Sequence, residues 1–271
     1  MIKKGFVKCD DKIPFFIIPD FEKTNLVKHC FTTRIGGLST APYDSMNLGK
    51  NTLDEYESVY QNYETIFNTL KVDLDKIVVS AQTHTDNIYC IEEDDPIIGK
   101  IKDTPLREID GLITDVKGLT LVTYYADCTP LYFLDPKVEV IALAHSGWRG
   151  TVKKIGAKVI DILVNNYECK KDDILVAIGP CIGKCCYEVD NPVIENFRDT
   201  FGIGDYYTHT YRDKYQLDLT KANEKVLLDA GIPYNNITSA NICTHCNHEY
   251  FYSYRRDKGR TGRMTAILSL K

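Results

Sequence analysis

The 271-residue sequence predicts an α+β fold built on a mixed sheet or a pair of sheets. Apolar strand-like runs and amphipathic helical runs are interleaved without the regular βαβ rhythm of a doubly wound fold. No internal repeat, low-complexity tract or Pro/Ser-rich linker divides the chain, so residues 1–271 read as one domain.

The elements follow from periodicity and punctuation. Residues 53–70 predict a helix: Asp54 is placed to cap it, and Val59, Tyr63, Ile66, Phe67 and Leu70 recur at helical spacing. Residues 77–80 and 119–125 read as strands. Residues 131–134 and 138–144 read as a hairpin turning at Asp135-Pro136-Lys137. Residues 150–166 predict one amphipathic helix, with Val152, Ile155, Val159, Ile162 and Leu163 inward and Lys153, Lys154 and Lys158 outward. Residues 174–178 form a short buried strand ending at Gly179-Pro180. Thr220 is placed to cap a helix running to Ala230, with Gly231 as its stop.

Composition narrows the function. Apolar residues make up 44% and charged residues 26%, which is ordinary for a globular enzyme and too apolar for disorder. The formal charge of −5 carries no basic block, which argues against nucleic acid or an anionic membrane as partner. Met1-Ile2-Lys3-Lys4-Gly5-Phe6 lacks the apolar core of a signal peptide, and no run is long enough to span a bilayer. Ten cysteines without a signal point to reduced thiols in a cytoplasmic protein.

Three strand-end groups suggest chemistry. The run Ala142-Leu143-Ala144-His145-Ser146-Gly147-Trp148-Arg149-Gly150 delivers a histidine to the end of a strand, beside a tight turn holding the only tryptophan. Cys128 in Ala126-Asp127-Cys128-Thr129-Pro130 and His84 in Gln82-Thr83-His84-Thr85 also follow predicted strands. Two imidazoles and a thiolate are the donor set of a catalytic zinc site, whose open fourth position holds a water with its pKa lowered to about 7. Asp127 is placed to orient a ligand or to move protons. The spacing is too wide for a local zinc knuckle. By itself the pattern favours the plainer reading of structural histidines and a small buried thiol over a metal site.

Further candidates carry the same double reading. Arg34, before Gly36-Gly37, is a phosphate or substrate group or a loop-stabilising arginine, and Asn47 is a base or ribose contact or a turn former. Arg149 faces the site or a surface pair. In the basic run Arg255, Arg256, Lys258, Arg260 and Arg263, one or two members are expected to serve an anion and the rest to be solvated. Tyr187 is a candidate for stacking on a purine. The spacing of Cys243, Cys246 and His248 resembles half a zinc ligand set, for which Cys181, Cys185 and Cys186 could supply the remainder; the sequence favours buried thiols over such a metal site.

Five segments together resemble the YfiH-type family, known variously as polyphenol oxidase or laccase domain, purine nucleoside phosphorylase and peptidoglycan editing factor. They are Phe31-Thr32-Thr33-Arg34-Ile35-Gly36-Gly37-Leu38-Ser39 with Asn47-Leu48-Gly49; Gln82-Thr83-His84; Asp110-Gly111-Leu112-Ile113-Thr114 running to Ala126-Asp127-Cys128-Thr129-Pro130; Ala144-His145-Ser146-Gly147-Trp148-Arg149-Gly150; and Ile178-Gly179-Pro180-Cys181-Ile182-Gly183. A sixth, Tyr252-Ser253-Tyr254-Arg255-Arg256-Asp257, closes with Thr261-Gly262-Arg263-Met264.

The resemblance implies a mixed β-sandwich core flanked by helices, with metal ligands falling on His84, Cys128 and His145. It also implies zinc-dependent phosphorolysis of adenosine, inosine, guanosine and methylthioadenosine, together with adenosine deamination. Substrate contacts are then expected at Arg34, Asn47, Arg149, Tyr187 and Arg256, with Asp127 and Cys128 catalytic. Nucleoside and phosphate would be the small-molecule partners, and monomer and homodimer both stay open. A copper oxidase fits less well, because six histidines without a His-x-His pair are too few for a multicopper site. A Cys128/His145 hydrolase acting in peptidoglycan editing uses the same residues and remains the alternative.

Overall fold

A computed structural model describes residues 5–10, 12–102 and 104–271. Residues 1–4, on which the signal-peptide reading partly rested, lie outside them. Two six-stranded mixed sheets stack face to face. The first runs, edge to edge, Val7–Cys9, Phe15–Ile17, Val27–Thr32, Met264–Leu270, Thr120–Tyr125 and Ile77–Val79. The second runs Ile237–Ser239, Leu175–Ile178, Thr129–Asp135, Val140–Ser146, Gly111–Thr114 and Ile88–Cys90. The β-sandwich core flanked by helices that the sequence resemblance implied is therefore present. A three-stranded antiparallel sheet of Glu188–Asp190, Lys214–Leu217 and Tyr207–Tyr211 sits to one side.

Alternation along the strands divides the core into layers. Phe31, Leu121 and Leu268 of the first sheet meet Leu112, Tyr132 and Leu143 of the second between the sheets. Val122 and Ile267 point outward onto the helix Tyr56–Leu70 through Val59, Tyr63, Ile66 and Phe67. Leu131, Phe133, Ala142 and Ala144 point outward onto the helix Ile155–Tyr167 and onto Leu227 of the helix Leu219–Asp229. The central strands are covered on both faces, which is why they read as continuous apolar runs. Among the described residues no helix is long and apolar enough to cross a membrane.

Three local expectations are corrected. The predicted helix over 150–166 is two helices, Trp148–Val152 and Ile155–Tyr167, broken at Lys154 in the left-handed region at φ +57. The break lets Val152 pack with the side sheet while Ile155 and Val159 turn to the second large sheet. The helix expected from residue 53 starts at Tyr56, and Asp54 does not cap it, because its carboxylate accepts from Asn47 Nδ2 at 2.8 Å and from the Glu55 N–H at 2.9 Å. Asp218, not Thr220, caps Leu219–Asp229 by accepting from the Lys221 N–H; Gly231 follows the helix at φ +93 as expected.

Candidate metal centre

The chain passes between the two large sheets several times, and one of these crossings builds the site. Thr120–Tyr125 belongs to the first sheet and Thr129–Asp135 to the second, and Ala126-Asp127-Cys128 is the step between them. Asp127 takes φ +86 in that step, a costly backbone for a non-glycine residue and one that marks an over-determined site. His145 arrives from the centre of the second sheet on Val140–Ser146, and His84 from the loop after Ile77–Val79 at the edge of the first. His84 is also left-handed, at φ +64. Gln82 ties its loop to the crossing strand by exchanging hydrogen bonds with the Tyr124 backbone at 2.7 and 3.1 Å.

One donor atom from each of His84, Cys128 and His145 lies within 4.8 Å of the others. The His145 ring is held by Asp110: Nδ1 and Oδ1 are 2.7 Å apart, and the His145 N–H donates to the Asp110 carbonyl at 2.7 Å. That contact leaves Nε2 to face the site and supplies the carboxylate–histidine pairing that orients metal ligands. Asp110 is fully buried and also accepts from the backbone N–H groups of Thr83, His84 and Thr85 and from the Thr85 hydroxyl. Burial works against its charge, but His145 and these donors win and hold the carboxyl down at about 2. One carboxylate thus fixes two of the three ligands. Asp110 went unassigned in the sequence, where it appeared only as the start of a strand motif.

Gly147 completes the cradle. A Cβ there would lie 2.9 Å from Cys128 Sγ and 2.9 Å from His84 Nδ1, so only glycine leaves the donors room. Three convergent N/S donors, a fixed imidazole and a space that a methyl group would fill suit a zinc-type ion with an open position.

The donors are electrostatically coupled. Burial alone pushes the Cys128 thiol up, but the His145 charge and hydrogen bonds from both histidines outweigh it and bring it to about 6. Burial alone pushes His145 down, but the thiolate and Asp110 raise it to about 9. Between these values the metal-free pair is thiolate and imidazolium, whereas a metal needs the imidazole neutral. Each ion bound near pH 7.5 is therefore expected to release about one proton, and affinity to rise about tenfold per pH unit across that window. Calorimetry in buffers of different ionisation enthalpy measures this, and a flat affinity between about pH 6.5 and 8.5 would refute the thiolate–imidazolium pair.

The triad opens into a cavity of about 490 Å³, within the usual range for small-molecule sites. Trp148, Tyr187 and Tyr254 supply aromatic faces, and Arg149, Arg255 and Arg263 supply guanidinium groups. Arg149 stacks on Trp148 with 4.4 Å to the ring centroid, and Arg255 on Tyr187 with 5.1 Å. Of the expected substrate contacts, Arg149 and Tyr187 line this cavity.

Arg34, Asn47 and Arg256 do not, and each is occupied elsewhere. Arg34 pairs with Asp44 at 3.0 Å, stacks on Tyr252 and borders a separate shallow cleft. The amides of Gly36 and Gly37 both donate to Ser45 Oγ, so that turn offers them to no ligand. Asn47 accepts from the Gly49 and Arg263 N–H groups and donates to Thr52 and Asp54, which braces the cavity wall from behind. Arg256 pairs with Asp257 and donates to three backbone carbonyls. The basic run contributes Arg255 and Arg263 instead, which sequence could not single out. Asp127 lines the cavity, but its carboxylate accepts from the Thr244 and Ser253 hydroxyls and the Arg255 N–H.

A sandwich with an open His/Cys/His donor set beneath a cationic, aromatic cavity defines a protein with a candidate metal centre facing small-molecule substrates. Residues 28–271 match the family described as multi-copper polyphenol oxidoreductase laccase, and the chain belongs to that family. Purine nucleoside phosphorylase YlmD of Bacillus subtilis (strain 168) is 35% identical over 261 residues, covering 94% of each chain. The protein of the same name from Geobacillus stearothermophilus is 37% identical over 241 residues, covering 88% of each. The crystal structure of Bacillus licheniformis hypothetical protein YfiH superposes with a TM-score of 0.92 at 35% identity, over 98% of this chain and 99% of that one.

Proposed function

We propose that the chain is a zinc-dependent purine nucleoside phosphorylase acting at the His84, Cys128 and His145 site. The observation that carries the reading is the union, in one cavity, of that donor set with three guanidinium groups and stacking aromatics. The relatives named purine nucleoside phosphorylases support it.

Phosphorolysis joins a phosphate oxygen to C1′ of the ribose as the bond from C1′ to the base nitrogen breaks, giving free purine and ribose 1-phosphate. Arg149, Arg255 and Arg263 match the charge and planarity a phosphate dianion requires, and holding it against C1′ removes orientational freedom before reaction. Tyr187 and Trp148 offer faces to a purine. Ser80 borders the cavity with a buried hydroxyl that has no hydrogen-bond partner among the described residues, a group suited to a substrate hydroxyl. Asp127, its oxygens taken by three donors, acts as a positioning residue that locks the Thr244 and Ser253–Arg255 loops against Cys128. Zinc, when bound, supplies a Lewis acid beside the substrate. With ten free cysteines among the described residues, a reducing cytoplasmic setting suits the site.

Cys128→Ala is expected to lower phosphate-dependent purine release by about 100-fold or more. Assays of adenosine, inosine, guanosine and methylthioadenosine with and without phosphate check it, and ammonia release from adenosine reads deamination separately. Base release that ignores phosphate, or that survives full zinc removal, would sink the reading. A second reading rests on the Asp110–His145–Cys128 alignment, which also orders an orienter, a base and a nucleophile. Activity that persists without metal but is lost on alkylation of Cys128 would favour it.

A further inference from the structure

Next in sequence to Tyr187 of the cavity wall, two loops bring four further sulfur atoms together. We propose that Cys185, Cys186, Cys243 and Cys246 form a second, structural metal site, a tetrathiolate for a zinc-class divalent cation. Their four Sγ atoms lie within 4.8 Å of one another. Cys246 Sγ is 3.3 Å from that of Cys186 and 3.6 Å from that of Cys185. A tetrahedral ion with zinc–sulfur bonds of about 2.3 Å sets its sulfurs about 3.8 Å apart, whereas a disulfide needs about 2.05 Å. The separations match ligands, not bonded pairs.

The backbone around the sulfurs is arranged as in thiolate sites. Cys243-Thr244-His245-Cys246 has the two-residue spacing of a chelating turn. Cys243 Sγ accepts from the Gly183 N–H at 3.1 Å and from the Cys246 N–H, the outer donors that stabilise a ligating thiolate. A parallel bridge between Cys181 and Cys243 lays the two loops side by side, and Cys186 and Tyr187 donate N–H groups to the Gly183 carbonyl to close the first turn. Four sulfur donors in tetrahedral reach select zinc or iron over hard cations. Cys181, which bonds Thr220, and His248 stand outside the set.

The site would pin the walls of the cavity. One loop continues from Cys186 into Tyr187, and the other carries Thr244, which donates to Asp127 beside Cys128. A metal joining them crosslinks the two segments that frame the substrate space.

The proposal is independent of the assigned activity, and Cys128→Ala separates the two sites. Purified under reductant, the wild type is expected to hold about two zinc ions per chain, Cys128→Ala about one, and Cys128→Ala with Cys185→Ser and Cys246→Ser none. Should the triple variant fail to fold, cobalt loaded into Cys128→Ala reads the donor set directly. Strong thiolate-to-cobalt charge-transfer bands of a tetrahedral four-sulfur centre would uphold the site. Cys128→Ala protein that holds no metal after zinc reconstitution, while all nine remaining cysteines titrate as free thiols on unfolding, would overturn it. So would a disulfide among these cysteines in the freshly reduced protein, or an iron chromophore in place of zinc.

Discussion

Gly147→Ala is expected to weaken metal binding at the His84, Cys128 and His145 site severely while the metal-free protein keeps its fold. Gly147 has φ −66 and ψ 177, which alanine adopts freely, so the backbone has no objection. The new methyl carbon, however, would stand 2.9 Å from both the thiolate and the His84 ring. Both are short, anchored side chains that can make way only by leaving the donor positions. A displacement of several tenths of an ångström spoils tetrahedral coordination, and affinity should fall by about 100-fold or more. Competition with a chromophoric chelator measures the affinity, and thermal unfolding of the metal-free protein provides the control. Unchanged zinc affinity would mean the ion is held elsewhere.

Asp110→Asn should damage stability and ligand geometry together. The carboxylate receives five donors on two oxygens: three backbone N–H groups, the Thr85 hydroxyl and His145 Nδ1. An amide turns one acceptor into a donor, so a buried imidazole or buried N–H groups lose their partner. Such losses cost about 3–5 kcal/mol, and loss of the carboxylate behind a metal-bound histidine costs roughly 10- to 100-fold in affinity. The acid limb sets the sign of the pH effect. Asp110 is depressed to about 2, so its contribution is complete above the ordinary carboxylate range and drains away as pH falls toward 2. The stability gap between wild type and variant should therefore be full at neutral pH and narrow in acid. Chemical denaturation at about pH 7 and pH 3 tests this, and a gap that widens in acid would contradict it.

The three ligands could be found in the sequence because each follows a strand whose apolar run is plain, and the family resemblance then singled them out. Asp110 could not be found that way. Its role depends on Gly111–Thr114 lying beside Val140–Ser146, a pairing of strands that periodicity does not encode. The arginines divide for the same reason. Arg255 and Arg256 are neighbours of the same type, yet one stacks on Tyr187 in the cavity and the other is spent on Asp257 and backbone carbonyls.

What the sequence determined by itself was local or compositional: the apolar runs, most helix positions, the donor residues and the family. Tertiary structure alone decided which carboxylate stands behind His145, which cations face the cavity and which four of the ten cysteines meet. Those contacts join residues far apart in the chain, and their geometry is set by pairings between strands and loops that no local pattern encodes.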